Sequence, residues 1–388
     1  MSIVAVRCNK NDFDNRVKYK ELRDSIAKAI EVKKFQKFNL VDIHQPVLEY
    51  DKSINNQTLC RICNIRKLNE DFEDRCEICN SFVYFGEQLV SNASKVSIKK
   101  LGINLDEEDF MIELSESIKS YVLKSGDSYA TFDTLADRSC IGFDTGLKAL
   151  GVLKADVDNM GNFIKESSVT DKFENFDLFS KTLDNFFSLY IPQKLMKDKY
   201  KNTYTVFAGG DDLFLVGAWD EIVELSRKIQ DAFKAFVKSD KLSISFGIAI
   251  AKPTHPISHL AEYTEHLLEE AKAIDENKNA ITLFGETVKW KSYLSTFDKL
   301  KEAFETIKDI DTKTAFLYRL LELVEMAKKV KYENDIASTM WKSKLAYSFG
   351  RNMPKGYEAL LQALNEEIEL NPKETKMFLS EFIYKRRG

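Results

Sequence analysis

Two sets of residues in this sequence have the types and spacing to do chemistry. The first is acidic. Asp156 and Asp158 close the apolar run LGVLKADVD, and Asp211 and Asp212 stand at the centre of YTVFAGGDDLFLVGAW, behind Gly209 and Gly210. Alternation along an extended strand puts Asp156 and Asp158 on one face. The GGDD quartet lies between two apolar runs, as the tip of a buried hairpin would. Carboxylates gathered in one place repel one another unless a cation joins them. Mg²⁺ or Mn²⁺ meets that need through oxygen ligands, with nucleotide phosphates completing the shell. Two such ions activate an attacking hydroxyl and stabilise a leaving oxygen, which is the chemistry of phosphoryl and nucleotidyl transfer. Asp156, Asp211 and Asp212 are therefore the candidate catalytic and metal-ligating acids.

Blander readings stand beside this one. Gly and Asp also suit a type I′ hairpin turn that binds nothing. DVDNMG has a loose likeness to a calcium loop, but its fifth position is Met160 and its twelfth is Ser167, where Glu is required, so that reading fails. Gly209 and Gly210 fit a turn, and equally the close approach of a nucleotide to a backbone without Cβ. Lys272, at a helix end in EEAKAIDENKNAI, either complements the helix dipole or contacts a triphosphate.

The second set is sulfur. Cys60 and Cys63 in CRIC and Cys76 and Cys79 in CEIC form two knuckles with twelve residues between them. Two such knuckles supply the tetrahedron of thiolates that Zn²⁺ prefers, and four cysteines leave no open position for water, so the zinc is structural. Two disulfides are the alternative, disfavoured in a chain with no export signal. Cys8 and Cys140 stand apart as ordinary thiols.

Elements that position these residues are legible from periodicity. IVAVR at residues 3–7 suits a strand, and residues 17–36 a helix with Leu22, Ile26, Ile30 and Phe35 near one face. A strand and a helix cannot bury a core alone. Residues 83–148 suggest short, weakly patterned strands. From residue 149 the order is strand (LGVLKADVD), helix (174–195), the GGDD hairpin, helix from an Asp220 N-cap to about 237, strand (KLSISFGIAIA), helix (258–274) and last strand (NAITLFG). That is a β-α-β-β-α-β unit with an added α-β, the ferredoxin-like split arrangement. Its first strand lies beside the hairpin strands, so the GGDD tip approaches Asp156 across about 55 residues of sequence. Helical periodicity dominates the C-terminal region, as in Leu317, Leu320, Leu321 and Val324, and reads as a bundle.

Composition sets outer bounds. The chain has 388 residues, 44% hydrophobic and 30% charged, with a formal net charge of −4. That charge gives no global signal for nucleic acid. No apolar run approaches the roughly 18 residues that span a membrane, which points to a cytoplasmic protein. None of His44, His255, His259 and His266 is followed by Asp, so an HD-type phosphohydrolase site is absent.

LGVLKADVDNMG, YTVFAGGDDLFLVGAW, LSISFGIAIAKPTHPI and EEAKAIDENKNAITLFG together resemble the second Palm domain in the large subunit of type III CRISPR effector complexes, Csm-type. The cysteine element upstream and the helices downstream follow that family's order. The resemblance implies an α+β chain: a ferredoxin-like Palm of the GGDEF and polymerase type, a zinc-binding element and a C-terminal α-helical bundle. It divides the chain into residues 1–45, a remnant of a first Palm; 46–148, a zinc ribbon and small β region; 149–290, the Palm with GGDD; and 291–388, the helical domain.

The resemblance also implies function. Family members, in an antiviral complex with guide RNA, target RNA and other effector subunits, convert ATP into cyclic oligoadenylates. Asp211 and Asp212 match the metal-binding acids, Asp156 the first-strand acid, Gly209 and Gly210 the nucleotide-adjacent glycines, and Asp158 a recurrent acid grouped with Lys272 as nucleotide-binding. Departures matter too. Members usually begin with an HD nuclease domain and a first Palm, and each Palm holds one ATP. The expectation is therefore a split subunit or fragment, partnered by a separate HD and first-Palm chain. Alone it would bind ATP, make little product and cleave no single-stranded DNA. Two other readings remain: a catalytically silent scaffold, and a GGDEF-like diguanylate cyclase, against which Asp212 and Leu213 stand where that motif has Glu and Phe.

Overall fold

The structure, a computed structural model, describes residues 6, 8–9, 12–13, 16–35, 59–62, 66–68, 74–92, 123–125, 128–142, 146–167, 171–195, 199–237, 241–306, 314–353 and 356–386. Of these, the residues within Met1–Gly102, Glu113–Ser120 and Ile164–Lys181 form one compact unit. Those within Ile103–Ile112, Tyr121–Phe163 and Thr182–Gly388 form a second.

The first unit contains α1 (Arg16–Phe35) and α2 (Glu77–Asn92). Tyr19 is buried on α1 and meets Phe173 edge-on at 6.2 Å, while Phe13 meets the same ring at 5.6 Å. The strand expected at residues 3–7 lies, apart from Val6, outside the described residues. The short strands expected over 83–148 need correction. Residues as far as Asn92 continue α2, and Phe132–Asp137 form another helix, α3, capped by Thr131 through Thr134 N–H. Only β1 (Lys124–Ser125) and β2 (Ser128–Tyr129) are strands there among the described residues. The reason for α2 is local. Cys76 Sγ accepts the Cys79 N–H at 3.4 Å, so the second knuckle itself caps a helix start and the chain continues helically.

The second unit is built on a six-stranded sheet of order β4-β5-β3-β6-β7-β8. Its elements are β3 (Leu150–Asp158), the start of α4 (Met160–Glu166), the end of α5 (Phe173–Asn185), a π-helical stretch Phe186–Leu195, β4 (Thr203–Gly209), β5 (Asp212–Ala218), α6 (Trp219–Val237), β6 (Ser243–Ala251), α7 (Ile257–Lys272), β7 (Ala280–Leu283) and β8 (Glu286–Lys289). The first four strands in that order are the ferredoxin-like set, with β3 central and antiparallel to both β5 and β6. The strand β8 is an addition to the expected unit. It folds back on β7 through Phe284 and Gly285, both at positive φ, which closes a two-residue hairpin. α6 begins at Trp219, so Asp220 falls in the first turn instead of at the N-cap.

Helices cover β3 from both sides because glycines let them approach. A Cβ on Gly151 would come within 2.8 Å of Ile222 and of Trp219 on α6. One on Gly247, whose register partner is Lys154, would come within 2.4 Å of the Leu268 nitrogen on α7. The even-numbered side chains of β3 therefore lie under α7: Leu150 and Val152 share a core cluster with Leu260 and Leu267. On α6, Phe233 packs against Phe186 and Phe187 of the π-helical stretch, at 5.7 and 6.2 Å.

α8 (Trp290–Glu305), α9 (Thr314–Glu333), α10 (Trp341–Asn352), α11 (Glu358–Leu370) and α12 (Pro372–Arg386) follow as a helical bundle. Leu317, Leu320 and Val324 of the expected stripe are buried with Leu360, Leu364 and Ile368. Each fully buried Leu or Phe contributes about 1.5–3 kcal/mol. The bundle is joined to the sheet through charge as well. Arg227 on α6 makes two hydrogen bonds to Glu381 on α12, at 2.8 and 2.9 Å, and one to Tyr293 Oη on α8.

Candidate functional site

The acid site is assembled by strand register. Asp156 on β3 lies directly opposite Asp212 on β5, and Gly209 pairs with Asp212 across the hairpin, leaving Gly210 and Asp211 as the loop. Gly210 has φ +65° and Asp211 does not reach positive φ. That is the pattern of a II′ turn, with Gly required first, and not the I′ turn considered from sequence. The Asp211 carbonyl accepts the Val157 N–H at 3.2 Å, so the turn is tied back onto β3. Carboxylate oxygens from Asp156, Asp211 and Asp212 all lie within 4.8 Å of one another.

Electrostatics at this point are unbalanced. Burial and the neighbouring Asp212 carboxyl push Asp156 up to about 6, against the pull of Lys272. Lys272, the last residue of α7, places Nζ 2.5 Å from Asp156 Oδ2 and 3.5 Å from Glu269 Oε1. Burial works against its ammonium, but Asp156 and Glu269 hold it above the ordinary lysine range. Two turns earlier along the same interface, Lys154 pairs with Glu265 of α7 at 2.6 Å, so α7 follows β3 side chain by side chain.

Asp158 shares the α7 side of β3 with Asp156 but not its surroundings. It is wholly buried. Oδ2 accepts hydrogen bonds from Ser243 Oγ at 2.7 Å, Ser245 Oγ at 2.9 Å and the Asn279 N–H at 3.0 Å, while Oδ1 has no partner. Burial raises its pKa and those donors oppose the rise. The structure thus gathers Asp156, Asp211, Asp212 and Lys272, with Gly209 and Gly210 at the turn, and sets Asp158 into the interior.

One further acid escapes sequence reasoning. Asp184 at the end of α5 accepts the Gly210 N–H at 2.8 Å, and a Cβ on Gly209 would stand 3.1 Å from the same oxygen. Asp184 holds the turn from outside the sheet. In sequence it is one polar residue beside an apolar helical stripe, about 25 residues from the glycines, and no spacing rule selects it.

Among the cysteines, Cys60, Cys76 and Cys79 are buried together with sulfur atoms within 4.8 Å of one another. The Cys60 N–H donates to the Arg66 carbonyl at 2.8 Å and Leu59 bridges Lys67. Cys63 lies outside the described residues. No disulfide is formed among the described residues. Three buried, convergent thiols suit a soft tetrahedral metal such as zinc.

Comparison with known proteins agrees with this geometry. The family model described as Cas10/Cmr2, second palm domain, matches residues 149–282. A CRISPR system single-strand-specific deoxyribonuclease Cas10/Csm1 (subtype III-A) from Enterococcus italicus is 26% identical over 364 residues, covering 84% of this chain and 47% of that protein. Its counterpart from Methanocaldococcus jannaschii is 32% identical over 231 residues, covering 53% and 27%. Csm1 of T. onnurineus superposes with a TM-score of 0.55 at 25% identity, over 70% of this chain and 42% of that one. A Csm1–Csm4 cassette crystallised with pppApApA gives 0.52 at 25% identity, over 67% and 39%. The chain spans about half the length of two of the curated relatives it matches, 47% in each. No described helix is long and apolar enough to cross a membrane. The chain is accordingly similar to the Cas10/Csm1 proteins of subtype III-A, and its residues 149–282 match the model of the second palm domain of Cas10/Cmr2.

Proposed function

We propose that this chain supplies one nucleotide-binding palm of an ATP-dependent cyclic oligoadenylate synthase in a type III CRISPR effector complex. The carrying observation is the convergence of Asp156, Asp211 and Asp212 within 4.8 Å at a turn that β3 and Asp184 hold in place. A similar cassette that holds pppApApA, a chain of adenylates still bearing its 5′ triphosphate, supports the choice of ATP.

The donor set fits Mg²⁺ or Mn²⁺: three carboxylates at one strand end, with Asp211 and Asp212 reachable from solvent. When bound, such ions lower the pKa of a 3′-hydroxyl and neutralise charge on the α-phosphate it attacks, with pyrophosphate leaving. The chain's own residues do the rest. Asp156 and Asp211 would ligate the metal, with Asp212 assisting from the start of β5. Gly209 and Gly210 let the nucleotide approach the backbone. Lys272 meets the negative charge of the triphosphate. Asp184 fixes the turn so that the acids need not reorganise.

In a complete assembly with guide and target RNA, Asp211→Ala with Asp212→Ala should abolish conversion of labelled ATP to oligoadenylate, with assembly intact. Wild-type turnover by that double variant rejects the metal reading. If wild type also makes no product in a complete assembly, the chain is a scaffold. For the cysteine cluster we propose one structural Zn²⁺ on Cys60, Cys63, Cys76 and Cys79. Metal analysis should give about one zinc per chain, and unchanged stability after chelation rejects it.

A further inference from the structure

Lys272 raises a question that a triphosphate contact alone does not answer. Its ammonium already has a partner, and that partner is Asp156, the carboxylate at the heart of the acid cluster. Both side chains are four-fifths buried, at 19% exposure each, and Nζ sits 2.5 Å from Oδ2. The only other described acid in contact with Nζ is Glu269, at 3.5 Å on the same helix, with a side chain 62% exposed. α7 is closed behind Lys272 by the Ala273 N–H, which donates to the Ala271 and Glu269 carbonyls, so the helix end itself is fixed. The mobile part is the four-carbon stem, a compact charge on a flexible tether.

A divalent cation ligated by Asp156 puts two positive charges where one ammonium now stands. At contact distances the two cations repel by more than thermal energy, even at the effective dielectric of a protein surface. The ammonium must then leave Asp156. With Asp156, Asp211 and Asp212 drawn to the metal, the other described acid that it touches is exposed Glu269, unless a polyphosphate arrives with the metal. The loss of one ion pair is offset when metal and nucleotide enter together and is not offset when metal enters alone.

We propose that Lys272 is the resident counterion of Asp156, competing with divalent metal for that carboxylate and transferring to the incoming triphosphate, so that metal and nucleotide bind cooperatively. The inference rests on the metal-held nucleotide reading above and assigns that site its own loading rule. Such coupling is reciprocal: nucleotide tightens metal by the factor by which metal tightens nucleotide.

The test uses the full chain, Mn²⁺ as probe and α,β-methylene ATP, whose α–β bridge is not cleaved. Mn²⁺ binding is read by electron paramagnetic resonance, with and without the analogue. Wild type should bind Mn²⁺ weakly alone and markedly more tightly with the analogue. Lys272→Met should bind Mn²⁺ alone about tenfold more tightly than wild type, a change of about 1.4 kcal/mol, and should lose most of the tightening by analogue. Lys272→Gln, which keeps a polar stem without charge, should shift in the same direction and decides the matter if the Met variant does not fold. Wild-type or weaker Mn²⁺ affinity in the folded Lys272 variants, with Asp156→Asn abolishing binding, overturns the counterion role and leaves the metal site standing. Unchanged Mn²⁺ binding in Asp156→Asn rejects the metal reading itself, and the proposal with it.

Discussion

Arg227 and Asp156 stand in the same compact unit, the first buried and the second half-buried, each beside opposite charge, yet their surroundings are built differently. Around Arg227 every demand is met. Both terminal nitrogens bond Glu381, Tyr293 accepts a third bond, Phe297 lies under the guanidinium at 4.0 Å, and Lys385 adds a second cation to Glu381 at 2.8 Å. Around Asp156 three carboxylates face one ammonium. The titration behaviour separates the two. Burial opposes ionisation of Glu381, but Arg227 and Lys385 hold it down at about 2, whereas burial and Asp212 push Asp156 up to about 6. The first region is complete in itself and fastens α12 to α6. The second is complete only with added positive charge. Buried charge that the fold has saturated is a joint, and buried charge left in surplus is a site.

The comparison breaks first at the joint if it is wrong. Arg227→Met removes the bidentate partner of Glu381 and leaves it Lys385, and should cost about 3–5 kcal/mol, while Arg227→Met with Glu381→Leu should recover much of that, because the buried pair is then lost together. Trp219, Trp290 and Trp341 are the chain's three tryptophans, all buried in this unit, so urea unfolding followed by their fluorescence reports on it. A double variant no more stable than the single one would mean that shape, not charge, holds the joint.

Acid sharpens the contrast next. The folded-state pKa of Glu381 lies below its ordinary 4.5, so its contribution is present above pH 4.5 and is lost as pH falls through about 2. The amount is on the order of 3 kcal/mol. Asp156 slopes the other way. Its folded pKa is raised, so it favours the folded chain most below its ordinary 3.8 and that contribution is lost as pH rises through about 6. In chelated protein, wild type minus Glu381→Gln should lose stability differential below pH 4.5, and wild type minus Asp156→Asn should lose it between pH 4 and 6. Equal slopes in the two subtractions would erase the distinction between joint and site.

Asp158 tests the boundary inside one strand. Asp158→Ala leaves Ser243, Ser245 and the Asn279 N–H without their acceptor and should cost about 1–3 kcal/mol, with affinity for α,β-methylene ATP nearly unchanged once the protein is folded. Asp158→Asn, which keeps one acceptor oxygen, should cost less. A nucleotide-contact role gives the reverse: lost affinity with stability kept.

These residues also mark how far sequence could be read. Alternation placed Asp156 and Asp158 on one face correctly, and the β-hairpin pattern brought Asp211 and Asp212 to Asp156, because strand register follows from which residues are apolar. Period alone gave α1, α6 and α7. Depth was not legible. Nothing in DVD says that the second acid is roofed by Asn279 and two serines supplied about 85 to 121 residues later. Nor does the helix-end position of Lys272 name its partner, since that depends on Gly247 letting α7 lie close to the sheet. α2 was missed because its start is capped by a cysteine sulfur, which no helix-start rule anticipates, and β8 because its turn is Phe-Gly, with a bulky residue at positive φ.

The smallest effect on stability belongs to Asp212→Asn, and its smallness is the point. Asp212 is exposed at the start of β5 and faces Asp156 across the ladder. The substitution keeps size and shape and removes one of three like charges. In chelated protein it should alter stability by no more than about 0.5 kcal/mol, as surface changes do. The sign should be stabilising, because Asp156 and Lys272 then pair with less competing negative charge. With Mn²⁺ present the order should invert: wild type gains stability from bound metal in proportion to its affinity, and Asp212→Asn gains less. Thermal melts of both proteins, with chelator and across a Mn²⁺ series, measure the crossing. Arg227→Met should show no such crossing, since no ligand replaces the cation it removes. A destabilised Asp212→Asn in chelator, with no difference from wild type in metal, would mean that the hairpin acids serve the turn and hold nothing.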